Sequence, residues 1–222
     1  MNHTSSTFPR RIFLLGSVAS LLLSGCGISD LGEIIGPPPA PQIYVLQPPV
    51  QGAVQGPPLP WQLSITVPDA PASIDTLRIA LNPTSSTLDY FADAAWPDRV
   101  PVLVQSHLIE AFESAGRVAV ARDTDGLLAE YTLRTELREF QAHYSGGVPL
   151  PDQPATPPEI SIRLDASLVA VSGRKVVGNI SVVQRANART NDMDSIVAAF
   201  NEALGAALAD IVRWTLAEAP EA

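Results

Sequence analysis

Ile160-Ser161-Ile162-Arg163-Leu164-Asp165-Ala166-Ser167-Leu168-Val169 is the stretch that decides the fold. Apolar side chains fall on every second position, with Ser161, Arg163, Asp165 and Ser167 between them. That period of two belongs to a strand with one face in a core and the other in water. Ser172-Gly173-Arg174-Lys175 then reads as a hairpin turn, and Val176 to Gln184 is expected to pair back. Beyond it the period lengthens. Ile196, Val197, Phe200, Ala203, Leu204, Ala207, Leu208, Ile211 and Val212 recur at helical spacing, behind a cap at Asp192 or Asp194.

Upstream of the decisive strand, Val148 to Pro158 holds five prolines and reads as a loop. Before it, Tyr131 to Phe140 alternates. Tyr131, Leu133, Thr135, Leu137 and Glu139 are expected on one face, and Thr132, Arg134, Glu136, Arg138 and Phe140 on the other. Asp123-Thr124-Asp125-Gly126 is a turn, and Val118-Ala119-Val120 a short strand. A first helix is read from Val100, Leu103, Val104, His107, Leu108, Ala111, Phe112 and Ala115. Asp98 is its expected N-cap, Pro101 falls in its first turn, and Gly116 ends it. Gln62 to Val67 and Leu77 to Leu81 alternate as strands, the second stopped by Asn82-Pro83, while Thr87 to Phe91 is a short strand or a turn. Two amphipathic helices and about six strands, mostly in hairpins, predict an α+β fold: a mainly antiparallel sheet with both helices packed on one face.

The N-terminus carries a different kind of signal. Arg10 and Arg11 precede an apolar run from Ile12 to Leu23, which is shorter than the roughly 20 residues a spanning helix needs. A basic start, a short apolar centre and small residues at the end are the layout of a secretory signal. Leu23-Ser24-Gly25-Cys26 resembles the lipobox of bacterial lipoproteins, which makes Cys26 the expected site of lipid attachment and the first mature residue. Arg10-Arg11-Ile12-Phe13-Leu14 also resembles a twin-arginine signal, so general and twin-arginine export both stay open. No second stretch long enough to span is expected. The expected organisation is a signal over 1–25, an anchor and tether over 26–60, and a domain over 61–222. Nine prolines between Gly36 and Pro60 make the tether extended. Within it Ile43-Tyr44-Val45-Leu46 is a β-prone island, expected to be pinned to the domain.

Composition narrows the chemistry. Once Arg10 and Arg11 are removed with the signal, 12 basic residues face 23 acidic ones, a net charge of −11. Phosphates repel such a chain, so nucleic acid is not an expected partner. Cys26 is the only cysteine, so the exported domain must rest on its apolar core without a disulfide. Of the histidines only His107 and His143 remain after processing, which excludes a metal site rich in His or Cys and leaves only carboxylates. Asp89, Asp93 and Asp98 are the candidates, read as a solvated loop and a cap. His107, on the apolar stripe, reads as half-buried and structural, and His143 as an exposed loop residue. The chain has no Gly-x-Ser-x-Gly elbow, and Ser172-Gly173-Arg174-Lys175 lacks the upstream glycine of a phosphate loop. No cofactor, catalytic residue or metal is expected. Of Trp61, Trp96 and Trp214, two are expected in the core.

The order of elements resembles the auxiliary lipoproteins of ABC transporters, the group that includes the paraquat-inducible protein C type. Tyr44-Val45-Leu46 after the lipobox is similar to that family's opening strand. Ile74-Asp75-Thr76-Leu77-Arg78-Ile79, Leu88-Asp89-Tyr90-Phe91-Ala92 to Trp96, and Leu133 to Phe140 are similar to later segments, as is the alanine-rich last helix. Where the family has an aromatic-Leu-Asp-Arg stretch, this chain has Ser73 to Arg78. The resemblance implies a non-enzymatic accessory of an ABC system that moves phospholipid or other hydrophobic molecules. Its implied partners are a periplasmic subunit with MCE domains and the permease and ATPase subunits. Self-association is a further expectation. Tyr90, Phe91 and Trp96, or an exposed sheet edge, are the expected contact surface. Gly27 after Cys26, in place of the Asp that retains lipoproteins at the inner membrane of enteric bacteria, favours the outer membrane. The rival readings are a lipid-anchored envelope hydrolase and a purely structural lipoprotein.

Overall fold

The alternating stretches become strands and the two apolar stripes become helices in the computed structural model, which describes residues 40–49, 56–148 and 156–219. In chain order they are β1 (Gln42–Ile43), β2 (Gln62–Ile65), β3 (Arg78–Thr84), β4 (Thr87–Ala95), α1 (Val100–Ala115), β5 (Ala119–Arg122), β6 (Tyr131–His143), β7 (Glu159–Ala170), β8 (Lys175–Asn187) and α2 (Met193–Glu218). Ala40–Ala222 form one compact unit, which therefore includes the β1 island. The signal segment, Leu23, Ser24, Gly25 and Cys26 lie outside the described residues.

The fold is α+β. β6, β7 and β8 form an antiparallel meander with long ladders, as the alternation requires. The other edge of β6 is shared. β2 pairs parallel with its first residues, at Tyr131 to Leu133, and β3 parallel with its last, at Gln141 to His143. Between them the backbone of Asp69 fills the gap: its N–H donates to Thr135 O, and its carbonyl accepts from Leu137 N–H. β2 continues to β5, and β3 to β4 and β1, giving eight strands among the described residues. Four of the pairings are parallel, joining segments far apart in sequence, which hairpin signals do not report.

One register detail corrects the expected facing of β6. The ladder to β7 shifts between Leu137 and Glu139, leaving Arg138 as an extra residue. A bulge of this kind reverses the inward and outward sense of the residues beyond it. Phe140 and Ala142 consequently join Leu133 and Leu137 in the core, and Phe140 does not share the charged face. On β7, Ile160, Ile162, Leu164, Ala166 and Leu168 are buried, as the decisive stretch predicts.

The helices close the core. α2 packs on β7 and β8, and α1 on β2, β5 and α2. Val104, Leu108 and Phe112 of α1 are fully buried, as are Phe200, Leu204, Ala207 and Ile211 of α2. Each large side chain so buried contributes about 1.5–3 kcal/mol. By length and composition α2 qualifies as a candidate membrane span, contrary to the expectation of no second such stretch; 67 % of its apolar 18-residue stretch is buried inside the protein, as in a core helix. Asp192 caps α2 by accepting from Ser195 N–H at 2.9 Å. The α1 cap differs from expectation: Arg99 is the N-cap, because the Asp98 carboxylate is taken by Arg99 N–H at 2.6 Å and the helix starts one residue later. Gly116 ends α1 with φ 65°, as expected.

The segment after β1 straps the helix layer. Tyr44 N–H donates to Ala95 O, Leu46 is buried, and Gln47 N–H donates to Asn201 Oδ1 at 2.7 Å. Pro49 then crosses α2 at Gly205, where an added Cβ would lie 2.9 Å from Pro49 Cδ. Glycine there permits the close approach.

Candidate functional site

The sheet departs most from regularity in β4, and the departure opens a cleft. Arg78 faces Ala95 while Ala80 faces Tyr90, so five steps along β4 oppose two along β3. Asp93 absorbs the surplus at φ 54°, a left-handed conformation uncommon outside glycine. The result sets Tyr90, Phe91 and Ala92 beside the first turn of α2. Tyr90 is held on two sides: the Arg78 guanidinium lies 3.7 Å from its ring centroid, and its hydroxyl donates to Ser73 O at 3.2 Å. Between these residues and Leu81, Met193 and Ile196 lies a cleft of about 540 Å³. Tyr144 and Asn191 stand at its wall, the tyrosine hydroxyl donating to Asn191 Oδ1 at 2.6 Å. Burial pushes the Tyr144 hydroxyl above its ordinary pKa.

The expected contact residues separate here. Tyr90 and Phe91 are half-buried and line the cleft. Trp96 is only 1 % exposed: its ring meets Phe200 edge-on at 5.4 Å and Phe140 at 6.1 Å. In this fold it is therefore a core side chain and offers no surface to a partner. Trp61 is buried against Tyr131, and Trp214 is half-buried beside β8, so two of the three tryptophans are core, as expected.

The polar candidates are dispersed. Asp89 accepts from Tyr90 N–H, Asp98 from Arg99 N–H, and Asp75 takes the Arg99 guanidinium at 2.9 Å. Among the described residues no group of three or more His, Cys, Asp or Glu is placed to hold a metal ion. His107 is half-buried, as expected, and its Nδ1 pairs with Glu110 at 2.8 Å on the helix surface. His143, expected in an exposed loop, closes β6 instead and is half-buried opposite Glu159.

The sheet face away from the helices is polar and largely self-neutralised. Arg138 bridges Glu136 at 2.7 Å and Asp165 at 2.9 Å, and Ser181 donates to Asp165 at 2.6 Å. The Ser181 hydrogen bond, helped by Arg138 and Arg163, holds the Asp165 carboxyl below the usual carboxylate range. The described surface thus includes an apolar cleft with a strained rim and a sheet face whose charges are largely paired within the chain. The cleft escaped sequence reasoning, because a multi-residue bulge has no periodic signature. The only local cue is the run Asp89 to Asp93, where alternation breaks.

Comparison with known proteins gives consistent results. Residues 44–212 match a family model described as ABC-type transport auxiliary lipoprotein component. An uncharacterized protein of Bradyrhizobium diazoefficiens is 30 % identical over 155 residues, covering 69 % of this chain and 39 % of that protein. The chain thus spans about two fifths of that relative's length. A crystal structure of protein XCC0632 from Xanthomonas campestris, of the DUF330 family model, superposes with a TM-score of 0.72 at 28 % identity. It covers 80 % of this chain and 95 % of that one. A second crystal structure, of an uncharacterized protein, has a TM-score of 0.59 at 13 % identity, covering 80 % and 99 %.

Proposed function

This chain belongs to the family of ABC-type transport auxiliary lipoproteins, and from that membership we propose that it is a non-enzymatic, lipid-anchored accessory of an ABC system carrying MCE-domain subunits. The match from residue 44 to residue 212, running from the strap after β1 into the last helix, is the observation that carries this reading. The system would move phospholipid or another hydrophobic molecule across the envelope, powered by its ATPase subunit. Cys26, with Leu23, Ser24 and Gly25 before it, would bear the lipid, with the outer membrane as the favoured location. A diacylglyceryl group plus an amide-linked chain of the palmitate type exceeds the two signals that stable anchoring takes.

The described surface supports a role in binding. Tethering keeps a domain at high effective concentration near its partner, so a weak contact suffices to hold a complex. Tyr90 and Phe91 beside the cleft, together with the edge of β8 that is unpaired among the described residues, are surfaces that suit the MCE-domain subunit or further copies of the chain. Deletion of the gene tests the reading. The expected result is altered phospholipid distribution between the membranes and heightened sensitivity to envelope stress. Unchanged lipid traffic and stress sensitivity, or hydrolysis of a lipid or glycan by the purified protein, overturns it.

A further inference from the structure

The sheet face away from the helices changes character at one end. Along most of it charge is paired: Arg138 with Glu136 and Asp165, Arg163 with Asp165, and Arg185 with Glu159. The end closed by the β7–β8 hairpin is different. Val169 pairs with Thr132 of β6 on one side and Val176 of β8 on the other. Leu168, the residue before Val169, is fully buried in the core, so Val169 and its partner Val176 stand on the opposite, open face. Val171 follows in the hairpin, its N–H donating to Glu130 O. Val171 and Val176 are 50 % and 49 % exposed, and Leu128, two residues before Glu130, is 90 % exposed.

Three cations border these side chains. Arg134 lies on β6 two residues beyond Thr132, and Arg174 and Lys175 belong to the hairpin itself. All three are exposed, and none has an ion-pair partner among the described residues. The neighbouring carboxylates are engaged or face elsewhere. Glu130 accepts from Gln62 N–H at 2.7 Å, and Asp125 from Arg122 N–H at 3.1 Å. Glu136 and Asp165 hold Arg138, and Glu218 lies against Gly178, whose ladder partner Leu168 faces the core. Asp123 follows β5, two strands away from β6. In a chain of net charge −9, three unpaired cations around exposed valines are a local reversal of sign.

Three well-exposed aliphatic side chains offer far less surface than the roughly 1,200 Å² of a stable protein interface. They suit a weaker contact, with cations at the phosphates and apolar side chains at the acyl boundary of a bilayer. We propose that the β7–β8 hairpin end docks on a membrane surface containing anionic phospholipid, through Arg134, Arg174 and Lys175 and through Leu128, Val171 and Val176. The proposal rests on the lipid-anchored reading for bringing a bilayer within reach, and not on the transport partners. The fourteen steps from Cys26 to Ala40 reach at most about 50 Å. That exceeds the roughly 43 Å of the 13 residues of β6.

Fluorescence quenching in vesicles tests it. The full-length chain, purified from membranes, carries an environment-sensitive fluorescent amino acid in place of Val171. It is reconstituted into vesicles that bear a quencher on their acyl chains. The vesicles are phosphatidylcholine alone or an equal mixture with phosphatidylglycerol. Quenching is expected to be several-fold stronger in the mixture and to fall on raising salt. Arg174→Asn with Lys175→Gln should return it to the neutral-vesicle level, since each cation near such a surface strengthens binding about fivefold. Arg174 has φ 52°, a left-handed conformation that asparagine accommodates, so the urea melt should stay unchanged. The same fluorophore at Asn187, exposed at the other end of β8, should stay unquenched in both vesicles. Equal quenching in the two vesicles, equal quenching at residue 187, or insensitivity to the double variant overturns the docking surface. A fluorescence shift in neutral vesicles that grows with protein density identifies a second copy as the occupant and overturns it as well. Protein held by both vesicles but unquenched at residue 171 removes the docking surface and leaves the anchor standing. Protein quenched at residue 171 in the mixture but not held by neutral vesicles keeps the docking surface and removes the anchor.

Discussion

Asp165 shows how single side chains on the open sheet face are tuned. Its carboxylate accepts from Ser181 and Arg138, with Arg163 close by, and its pKa is lowered as a result. A carboxylate whose folded pKa lies below its unfolded value, about 3.9, contributes stability above that value. The contribution is lost as pH falls through the folded pKa. Ser181→Ala removes the leading cause, so the Asp165 pKa should move up toward the ordinary range, as read by carboxyl carbon NMR titration. An unchanged titration would mean that the arginines alone hold it down. Trp96 illustrates the opposite environment. Its ring is enclosed by Phe140 and Phe200, and Phe140 stacks on Phe200 at 5.0 Å. Trp96→Ala should therefore destabilise the domain by about 3–5 kcal/mol in urea melts. Any loss of partner binding in that variant then reflects unfolding, whereas Tyr90 and Phe91 can be varied to test the surface itself. A melt of Trp96→Ala close to that of the parent would make this residue a contact candidate again.

At the scale of elements, much was legible where one periodicity runs unbroken. β7 and α2 follow their patterns from end to end, Gly116 ends α1 as expected, and Asp192, one of the two expected caps, opens α2, while β8 pairs back on β7 with Val177 as an extra residue. Leu204 and Leu208 are 0 % and 4 % exposed on the stripe of α2. Leu208→Ala should cost about 2–5 kcal/mol, measured by chemical denaturation. A loss below about 0.5 kcal/mol, the range of surface substitutions, would contradict the packing of α2 on the sheet. Legibility failed where geometry depends on a neighbour remote in sequence. Arg138 becomes an extra residue only because β7 sets the register opposite, and this turns Phe140 inward. The surplus in β4 is likewise defined against β3, so the cleft it opens was invisible as sequence. The parallel pairing of β2 and β3 along one edge of β6 has the same cause. Trp96 was misplaced for a related reason: the run of aromatics from Tyr90 to Trp96 does not tell which rings the bulge leaves at the surface.

At the scale of the whole molecule, a folded unit from Ala40 onward joins an N-terminal segment that would be exported, trimmed and lipidated. Cys26→Ala should abolish lipid attachment and cleavage before residue 26, with mass spectrometry of the mature N-terminus as the check. A mature form that begins elsewhere, or an unmodified Cys26, contradicts the anchor. The domain itself would act through what it touches, and family membership points to a transport system as that partner. The most direct measurement is affinity purification of the tagged full-length chain from solubilised envelopes, with identification of every co-purifying protein by mass spectrometry. The expected result is an MCE-domain subunit together with its permease and ATPase, reduced when Tyr90 and Phe91 are replaced in a folded variant. Recovery of the chain with none of these subunits, under conditions that keep other envelope complexes intact, would contradict the transport role.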